Sequence, residues 1–224
     1  MNRREIKAKA KKIANEHLGD FWRGYALILI LTYVLQFLVS KLSALSIFNK
    51  CLYSMNILGE QECILSNGSI VNSIGSLIIS LIVAPLTFGF IYYILKIVRK
   101  EKFDANDIFK FKKEFIVIAL INLVVYVLTQ IGSLLFIIPG IIISLNYSLV
   151  SFVYADKQKG VKETLNDSKE LIKGHRLDYL LFDLSFMGWI FLSLLTFGIL
   201  LVWVLPYYQI SHALYYENLK TVKN

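Results

Sequence analysis

Charged residues are absent from two long stretches of this chain. No Asp, Glu, Lys or Arg occurs from Phe115 to Ala155 or from Leu184 to Tyr216. A helix needs roughly 20 consecutive apolar residues to cross the hydrocarbon core of a bilayer, so each stretch is long enough to cross, turn and cross again. Helices of soluble proteins keep a polar face toward water. The pattern therefore predicts an integral membrane protein.

The apolar segments predict an all-α bundle of six transmembrane helices, arranged as three helical hairpins in a single membrane domain, 1–224. The predicted spans are 25–40, 74–95, 115–131, 135–155, 179–195 and 199–216. The arms within the two long stretches turn near Gly132 and Gly198. The predicted segments outside the spans are a basic amphipathic helix at 1–24, an outer loop at 41–73, and charged loops at 96–114 and 156–178.

The distribution of positive charge predicts the orientation of this bundle. Of the 24 Lys and Arg residues, 22 fall in the two ends and the loops 96–114 and 156–178, and two fall in the loop 41–73. Cytoplasmic loops carry the excess of Lys and Arg. We therefore expect a multi-pass protein of a bacterial plasma membrane, with both termini in the cytoplasm. Attraction to anionic lipid head groups accounts for the basic composition, and no nucleic acid is expected as a partner.

Each predicted hairpin carries one of the three prolines of the chain in its second arm. These are Pro85, Pro139 and Pro206. A proline removes one backbone hydrogen bond and kinks its helix, so we expect kinks at these positions. Each hairpin also follows a short charged, partly amphipathic segment, a pattern that predicts a diverged threefold repeat; alternatively, the membrane imposes similar hairpins on unrelated segments.

Two pairs of polar residues lie at matching depths in the predicted hairpins. Asp183 and His212 are equally far from the last turn, so we expect them to face each other and form a hydrogen bond or an ion pair. Alternatively, Asp183 reaches water or Arg176 while His212 bonds a backbone carbonyl. Asn122 and Asn146 are paired in the same way, either as interhelical hydrogen bonds or, with Gln130, Ser144 and Gln209, as the polar lining of a passage. The candidate intramembrane polar cluster is Asp183, His212, Asn122, Asn146 and Gln209.

Other chemistry is sparse. Cys51 and Cys63 share the predicted outer loop, where a disulfide can persist, so they are a candidate disulfide. The chain has no His-Glu-x-x-His, Gly-x-Ser-x-Gly or phosphate-loop motif, and its three histidines are dispersed. We therefore predict no catalytic residues, no metal site and no cofactor.

The C-terminal half carries a series of motifs in a recognisable order. They are Leu135 to Ile142 with Pro139-Gly140, Tyr147, Tyr154-Ala155-Asp156, Glu163-Thr164-Leu165, Ser168, Leu171, Lys173-Gly174, Gly188-Trp189, Thr196-Phe197-Gly198, Pro206-Tyr207-Tyr208 and Ala213 to Tyr216. This order, together with the head Asn2 to Lys7 and Phe21-Trp22, resembles the uncharacterised bacterial membrane family called domain of unknown function 975. The resemblance implies a multi-span helical membrane protein without an assigned activity or established catalytic residues.

Three functional interpretations follow from these patterns. The first is a non-enzymatic membrane component that assists transport, envelope homeostasis or resistance to membrane-active compounds, held to anionic lipid by its basic helices through charge and apolar insertion. The second is a small-molecule or ion transporter with a site near the proline kinks, because broken helices line transporter sites. The third is a membrane enzyme that uses Asp183 and His212. Whether the chain forms a homo-oligomer or binds another membrane protein stays an open question.

Overall fold

The protein folds as a helical bundle. The computed structural model describes residues 3–58, 66–135 and 137–223, with side chains at 3–42, 74–134 and 138–223, and the only regular secondary structure in these residues is helix. The helices are α1 (Arg3–Glu16), α2 (Leu18–Leu58), α3 (Ser66–Arg99), α4 (Phe115–Leu135), α5 (Ile137–Tyr147), α6 (Val150–Lys157), α7 (Val161–Ile172), α8 (Arg176–Leu195) and α9 (Leu201–Lys223). Two 3₁₀ turns, Ala105–Phe109 and Lys112–Glu114, connect α3 to α4.

Five helical segments in the described residues are long and apolar enough to cross a membrane. They are Leu18–Leu42, Ile74–Arg99, Ala105–Leu134, Ile138–Lys157 and Arg176–Leu195. The all-helical fold is therefore confirmed for the described residues, and these five apolar helices fit a membrane protein. The predicted sixth span, 199–216, overlaps α9 from Leu201 onward and is not among the five, so the six-span arrangement stays a prediction, as does the threefold repeat.

The predicted span 135–155 is divided between two helices. A turn at Ser148 and Leu149 separates α5 from α6, and Ser148 Oγ donates to the carbonyl of Leu145 at 2.8 Å. The turn before α5 also lies later than predicted, because α4 continues past Gly132 to Leu135. These differences arise because hydropathy averages over a whole segment and does not detect a local break.

Helices α2 and α3 form an antiparallel pair whose register is given by two glycines. A Cβ at Gly24 would lie 3.1 Å from the Phe90 ring, and a Cβ at Gly75 would overlap the side chain of Val39. The start of α2 therefore lies beside the end of α3. Small residues at such crossings let helices in lipid approach closely.

The α4–α5 hairpin closes on a second glycine pair. A Cβ at Gly132 would lie 3.2 Å from the Gly140 Cα, and a Cβ at Gly140 would lie 2.8 Å from Ser133 Oγ. Both glycines are in helices, and because they lack a side chain the two backbones can approach closely. The hairpin therefore depends on small residues at this crossing.

The amphipathic segments pack onto the bundle with their apolar faces inward. In α1 the buried residues are Ile6, Ala10, Ile13 and Ala14, and the helix packs along α9. In the 3₁₀ region Ile108 and Phe111 are buried, and in α7 Thr164, Ser168 and Ile172 are buried. The apolar stripe of α1 is thus covered by protein, and insertion of this stripe into lipid, as expected from sequence, does not fit the fold. Its lysines at 9, 11 and 12 stay exposed.

Candidate functional site

A polar groove of about 730 Å³ lies between α2, α3 and α4, and α9 contributes one residue to it. Eleven of its lining residues carry a hydroxyl or an amide. They are Tyr25, Thr32, Gln36, Ser76, Ser80, Thr87, Asn122, Tyr126, Thr129, Gln130 and Gln209. None of the lining residues is charged. Along α3 the groove extends from Ser76 to Ile91, about 22 Å at 1.5 Å per residue.

Most of the groove hydroxyls use their protons within their own helices. Each donates to a backbone carbonyl three or four residues earlier at 2.7–2.8 Å, and the donors are Thr32, Ser80, Thr87 and Thr129. A hydroxyl oxygen keeps acceptor capacity after it has donated its proton. These residues therefore face the groove as hydrogen-bond acceptors.

The groove amides have no such internal partner. They are Gln36, Asn122, Gln130 and Gln209, and no hydrogen bond joins any of them to another described residue. An amide without a hydrogen bond costs several kcal/mol in hydrocarbon. Water or a polar solute in the groove would satisfy these groups, each of which offers both a donor and an acceptor.

The five residues of the predicted polar cluster do not form one site. Asn122 and Gln209 line the polar groove. Asp183 and His212 lie together in the α8–α9 hairpin, with His212 Nε2 3.4 Å from Asp183 Oδ1. Asn146 lies at the end of α5, and its role with Asn122 stays a prediction.

His212 is the centre of a small polar network in the α8–α9 hairpin. The imidazole is buried, and its Nδ1 lies 2.9 Å from the Tyr179 hydroxyl. Its Nε2 is buried and makes no hydrogen bond of normal length with a described residue, because the 3.4 Å contact with Asp183 is longer than the usual 2.7–3.2 Å. The Tyr208 hydroxyl donates to Asp183 at 2.9 Å. The Asp183 carboxylate therefore lies beside both the Tyr208 hydroxyl and the His212 ring.

A lysine of the basic N-terminal helix covers this network. Lys7 Nζ donates to Ser185 Oγ and lies 4.2 Å from the centroid of the Phe186 ring. Burial and the nearby Arg3 charge lower the pKa of Lys7. Arg3 also pairs with Asp178 at 3.8 Å. These contacts attach α1 to α8.

Asn146 and Ser168 meet at the break between α5 and α6. Ser168 Oγ donates to the Asn146 backbone carbonyl at 3.0 Å, a carbonyl left without its helical donor where α5 ends. Ser168 is fully buried, so α7 caps the broken helix from outside the α4–α5 hairpin. The side-chain oxygen of Asn146 is buried without a described partner.

The three prolines differ in position. Pro85 and Pro206 lie inside α3 and α9. Pro139 lies in the first turn of α5, where a helix tolerates proline because the first N–H groups lack helical partners. Neither Pro139 nor Pro206 lines the polar groove, although Gln209 is one turn from Pro206.

Neither a disulfide nor a metal site is found among the described side chains. The side chains of Cys51 and Cys63 lie outside the described residues, so the disulfide stays a prediction. Within the part of the chain that the structure describes, no group of three or more His, Cys, Asp or Glu side chains is placed to hold a metal ion.

A charged cluster that sequence reasoning missed joins three helix ends. Arg99 Nη2 donates to Asp156 at 2.7 Å and to Glu217 at 2.6 Å. Asp156 also accepts from the Tyr216 hydroxyl at 2.9 Å and from Lys220 at 2.7 Å. The ends of α3, α6 and α9 therefore lie together. The order of charged residues along the chain does not predict this cluster, because its members are far apart in sequence.

Comparison with known proteins agrees with the motif resemblance over the C-terminal part. A family profile described as "Protein of unknown function (DUF975)" matches residues 133–223. The resemblance to this family is confirmed there, and the head motif at Asn2 to Lys7 lies outside the matched range. Searches of curated proteins and of solved structures found no match. The comparison supplies no substrate and no reaction.

Proposed function

We propose that this protein is a transporter of the bacterial plasma membrane that binds a polar, uncharged solute in the polar groove. The observation that carries the proposal is the set of four amides without described partners in a groove between α2, α3 and α4, to which α9 contributes Gln209. A protein with a purely structural role gains nothing from such groups in lipid, because each costs free energy unless it is hydrogen-bonded. The groove therefore favours transport over the accessory role.

The form of the groove restricts the solute. Its volume falls within the 300–1,000 Å³ typical of small-molecule sites. The lining has amide donors and acceptors and hydroxyl acceptors without a charged side chain, which suits neutral hydroxylated or amide-bearing molecules. A bare ion or a strongly charged solute would lose its hydration there without a compensating charge.

The amides are spaced along the length of the groove. Gln36 lies opposite the part of α3 near Ile78, by the register of Gly75 with Val39. Gln209 belongs to α9, whose end joins Arg99 at the other end of α3. A solute that moves from one amide to the next exchanges one hydrogen bond for another, which supports passage as well as binding.

We also propose that both termini lie in the cytoplasm and that the protein is not an enzyme. The Lys and Arg excess supports termini in the cytoplasm, next to anionic head groups. Neither Asp183 nor His212 lines the polar groove, which favours a non-enzymatic protein over a membrane enzyme.

Solute flux into proteoliposomes tests this function. Light scattering would follow swelling in glycerol, urea or xylitol, with sodium glutamate as the charged control. We expect protein-dependent entry of the neutral solutes, and slower entry with Asn122→Leu and Gln209→Leu, by about fivefold for each amide since a net hydrogen bond contributes about 1 kcal/mol. Asn218→Leu, an amide outside the groove, is the matched control and should leave flux unchanged.

Stability measurements separate transport from a structural role of the same amides. Replacing a partnerless amide with leucine should leave the free energy of unfolding unchanged or raise it. A neutral-solute flux equal to that of protein-free liposomes would contradict the proposal. Unaltered flux in a variant that combines Asn122→Leu and Gln209→Leu would also contradict it. So would a loss of stability in these leucine variants that accompanies their loss of flux.

A further inference from the structure

We propose that the α8–α9 hairpin does not cross the membrane, and lies in the leaflet next to the start of α2, with the acyl chains of that leaflet as its partner. This arrangement replaces the predicted spans 179–195 and 199–216 by one hairpin embedded from a single side. It is independent of the transport activity, because it concerns the depth of the hairpin alone.

The α2–α3 pair provides a scale for depth. Gly24 of α2 faces Phe90, and Gly75 of α3 faces Val39. From Trp22 to Val39, α2 rises about 26 Å at 1.5 Å per residue. This distance is close to the roughly 30 Å of a hydrocarbon core. Trp22 and Val39 therefore lie near opposite faces of the bilayer.

One hydrogen bond places the start of α9 at the depth of Trp22. The Trp22 indole Nε1 donates to the Val202 carbonyl at 3.0 Å. Phe197, at the tip of the hairpin, is five residues before Val202, and five fully extended residues reach about 17 Å. The chain is folded here, since Leu201 N donates to the Gly198 carbonyl at 3.0 Å, so the reach is shorter. The tip stops well short of the level of Val39.

The other ends of the hairpin lie at the end of the bundle that holds Arg99. Glu217 of α9 pairs with Arg99 at 2.6 Å, and Asp178 of α8 pairs with Arg3 at 3.8 Å. Val202 and Glu217 are about 22 Å apart along α9. Trp22 lies near the level of Tyr93, since the Tyr93 hydroxyl donates to the carbonyl of Asp20. Tyr93 is only six residues before Arg99 in α3. Helix α9 is therefore steeply inclined to α3.

The outer surface of the hairpin requires an apolar partner. Six large apolar side chains on it are each more than 60% exposed, and they are Leu177, Phe191, Leu194, Leu195, Phe197 and Ile199. Large contiguous apolar patches are rare on surfaces in water. Helices that lie in the interface bury such a face among acyl chains and direct basic residues to the head groups.

The opposite side of the hairpin carries the charges that this placement needs. Helix α1 packs along α9, its Ile6 and Ala10 are buried, and its lysines at 9, 11 and 12 are exposed. The hairpin thus has an apolar face and a basic cover. This polarity matches the boundary between acyl chains and anionic head groups.

Labelling of two hairpin tips tests the depth directly. In a Cys51→Ser, Cys63→Ser background, Phe197→Cys is compared with Leu134→Cys, because both positions are exposed tips, at 98% and 89%. A membrane-impermeant maleimide is applied to intact cells and to inverted vesicles. We expect that the reagent, applied from the side on which it labels Leu134→Cys, does not label Phe197→Cys. Labelling of both tips from the same side would overturn the proposal.

A nitroxide at position 197 measures depth independently in reconstituted bilayers. We expect it to be more accessible to oxygen than to a water-soluble nickel chelate, with a depth in the half of the bilayer next to α1. A depth at the opposite head groups would mean that the hairpin crosses. Greater accessibility to the nickel chelate would place the tip in water. Either result overturns the proposal, and Ile199→Cys repeats the measurement at a second exposed site.

Discussion

The Trp22 indole Nε1 donates a 3.0 Å hydrogen bond to the carbonyl of Val202, which is the carbonyl that Pro206 leaves without its helical donor. In an α-helix each N–H donates to the carbonyl four residues earlier, and proline has no N–H. Pro206 lies inside α9, so its position frees Val202. The start of α2 thus supplies the missing donor and attaches α9 to the first membrane-spanning helix.

Removing the indole donor should destabilise the attachment of α9. Trp22→Phe keeps an aromatic ring and leaves the Val202 carbonyl without a partner, at a cost of about 1–3 kcal/mol. Thermal unfolding in detergent measures the loss. Trp189→Phe is the matched control, because Trp189 is exposed on α8, and should change stability by less than about 0.5 kcal/mol.

A double-mutant cycle assigns this cost to the carbonyl. Pro206→Ala restores an N–H that donates to Val202, so Trp22→Phe should cost less in the Pro206→Ala background than in the wild type. Equal costs in the two backgrounds would show that the tryptophan contributes through packing alone.

The cluster at Arg99 should behave as one unit. Asp156→Asn leaves Arg99 and Lys220 without their shared carboxylate, and the side chain of Asp156 is only 9% exposed. Removing one partner of a buried pair costs about 3–5 kcal/mol. We expect roughly 2–3 kcal/mol, because solvent screens the partly exposed Arg99 and Glu217. Unfolding of Asp156→Asn and Glu217→Gln, alone and combined, gives the coupling energy.

An exposed ion pair serves as the control for this cluster. Lys157 Nζ lies 2.9 Å from Asp167, with side chains 42% and 25% exposed, so Asp167→Asn should cost less than about 1 kcal/mol. The Lys157 hydrogen bond holds the pKa of Asp167 below its ordinary value. The stabilisation is therefore present at neutral pH and is lost as the pH falls through that lowered pKa. A cost equal to that of Asp156→Asn would contradict the distinction.

Gly89 should not tolerate a side chain. A Cβ at this position would overlap the backbone carbonyl of Ile108, so Gly89→Ala must displace the 3₁₀ turn from α3 at a cost of about 1–3 kcal/mol. Gly188→Ala is the opposite case. Its Cβ would meet nothing within 4 Å, and an alanine in a helix is favoured by roughly 0.5–1 kcal/mol. Thermal unfolding should shift in opposite directions for the two variants.

Loss of the Ser168 hydroxyl should weaken the break between α5 and α6. Ser168→Ala leaves the Asn146 carbonyl without its donor, which costs about 1 kcal/mol or more because the site is buried. Hydrogen exchange should increase at the N–H groups that follow Asn146. Thr221→Ala, whose hydroxyl donates within its own exposed helix end, should change neither stability nor exchange there.

Helix content and membrane insertion were accessible from the chain alone, whereas the polar groove was not. Asn122, Gln130 and Gln209 were singled out as polar residues in apolar surroundings, but Gln36 was not placed beside them. The lining comes from four helices, and which face of each helix points inward depends on packing. Matching depths in the predicted spans also assigned Asn146 to the same cluster as Asp183, because the depth of a residue along a helix does not say which neighbouring helix the residue faces.

Lipid as the solvent followed from the sequence by itself, since charge-free runs such as Phe115 to Ala155 are a local property that no folding can alter. Excess positive charge in certain segments and the amphipathic pattern of α1 were equally readable, but the packing of the apolar stripe of α1 against protein rather than lipid was not. Only the tertiary structure joined Trp22 to Val202 across 180 residues and gathered four amides into one groove. These depend on contacts between distant segments, whose geometry is decided by how all the helices pack at once.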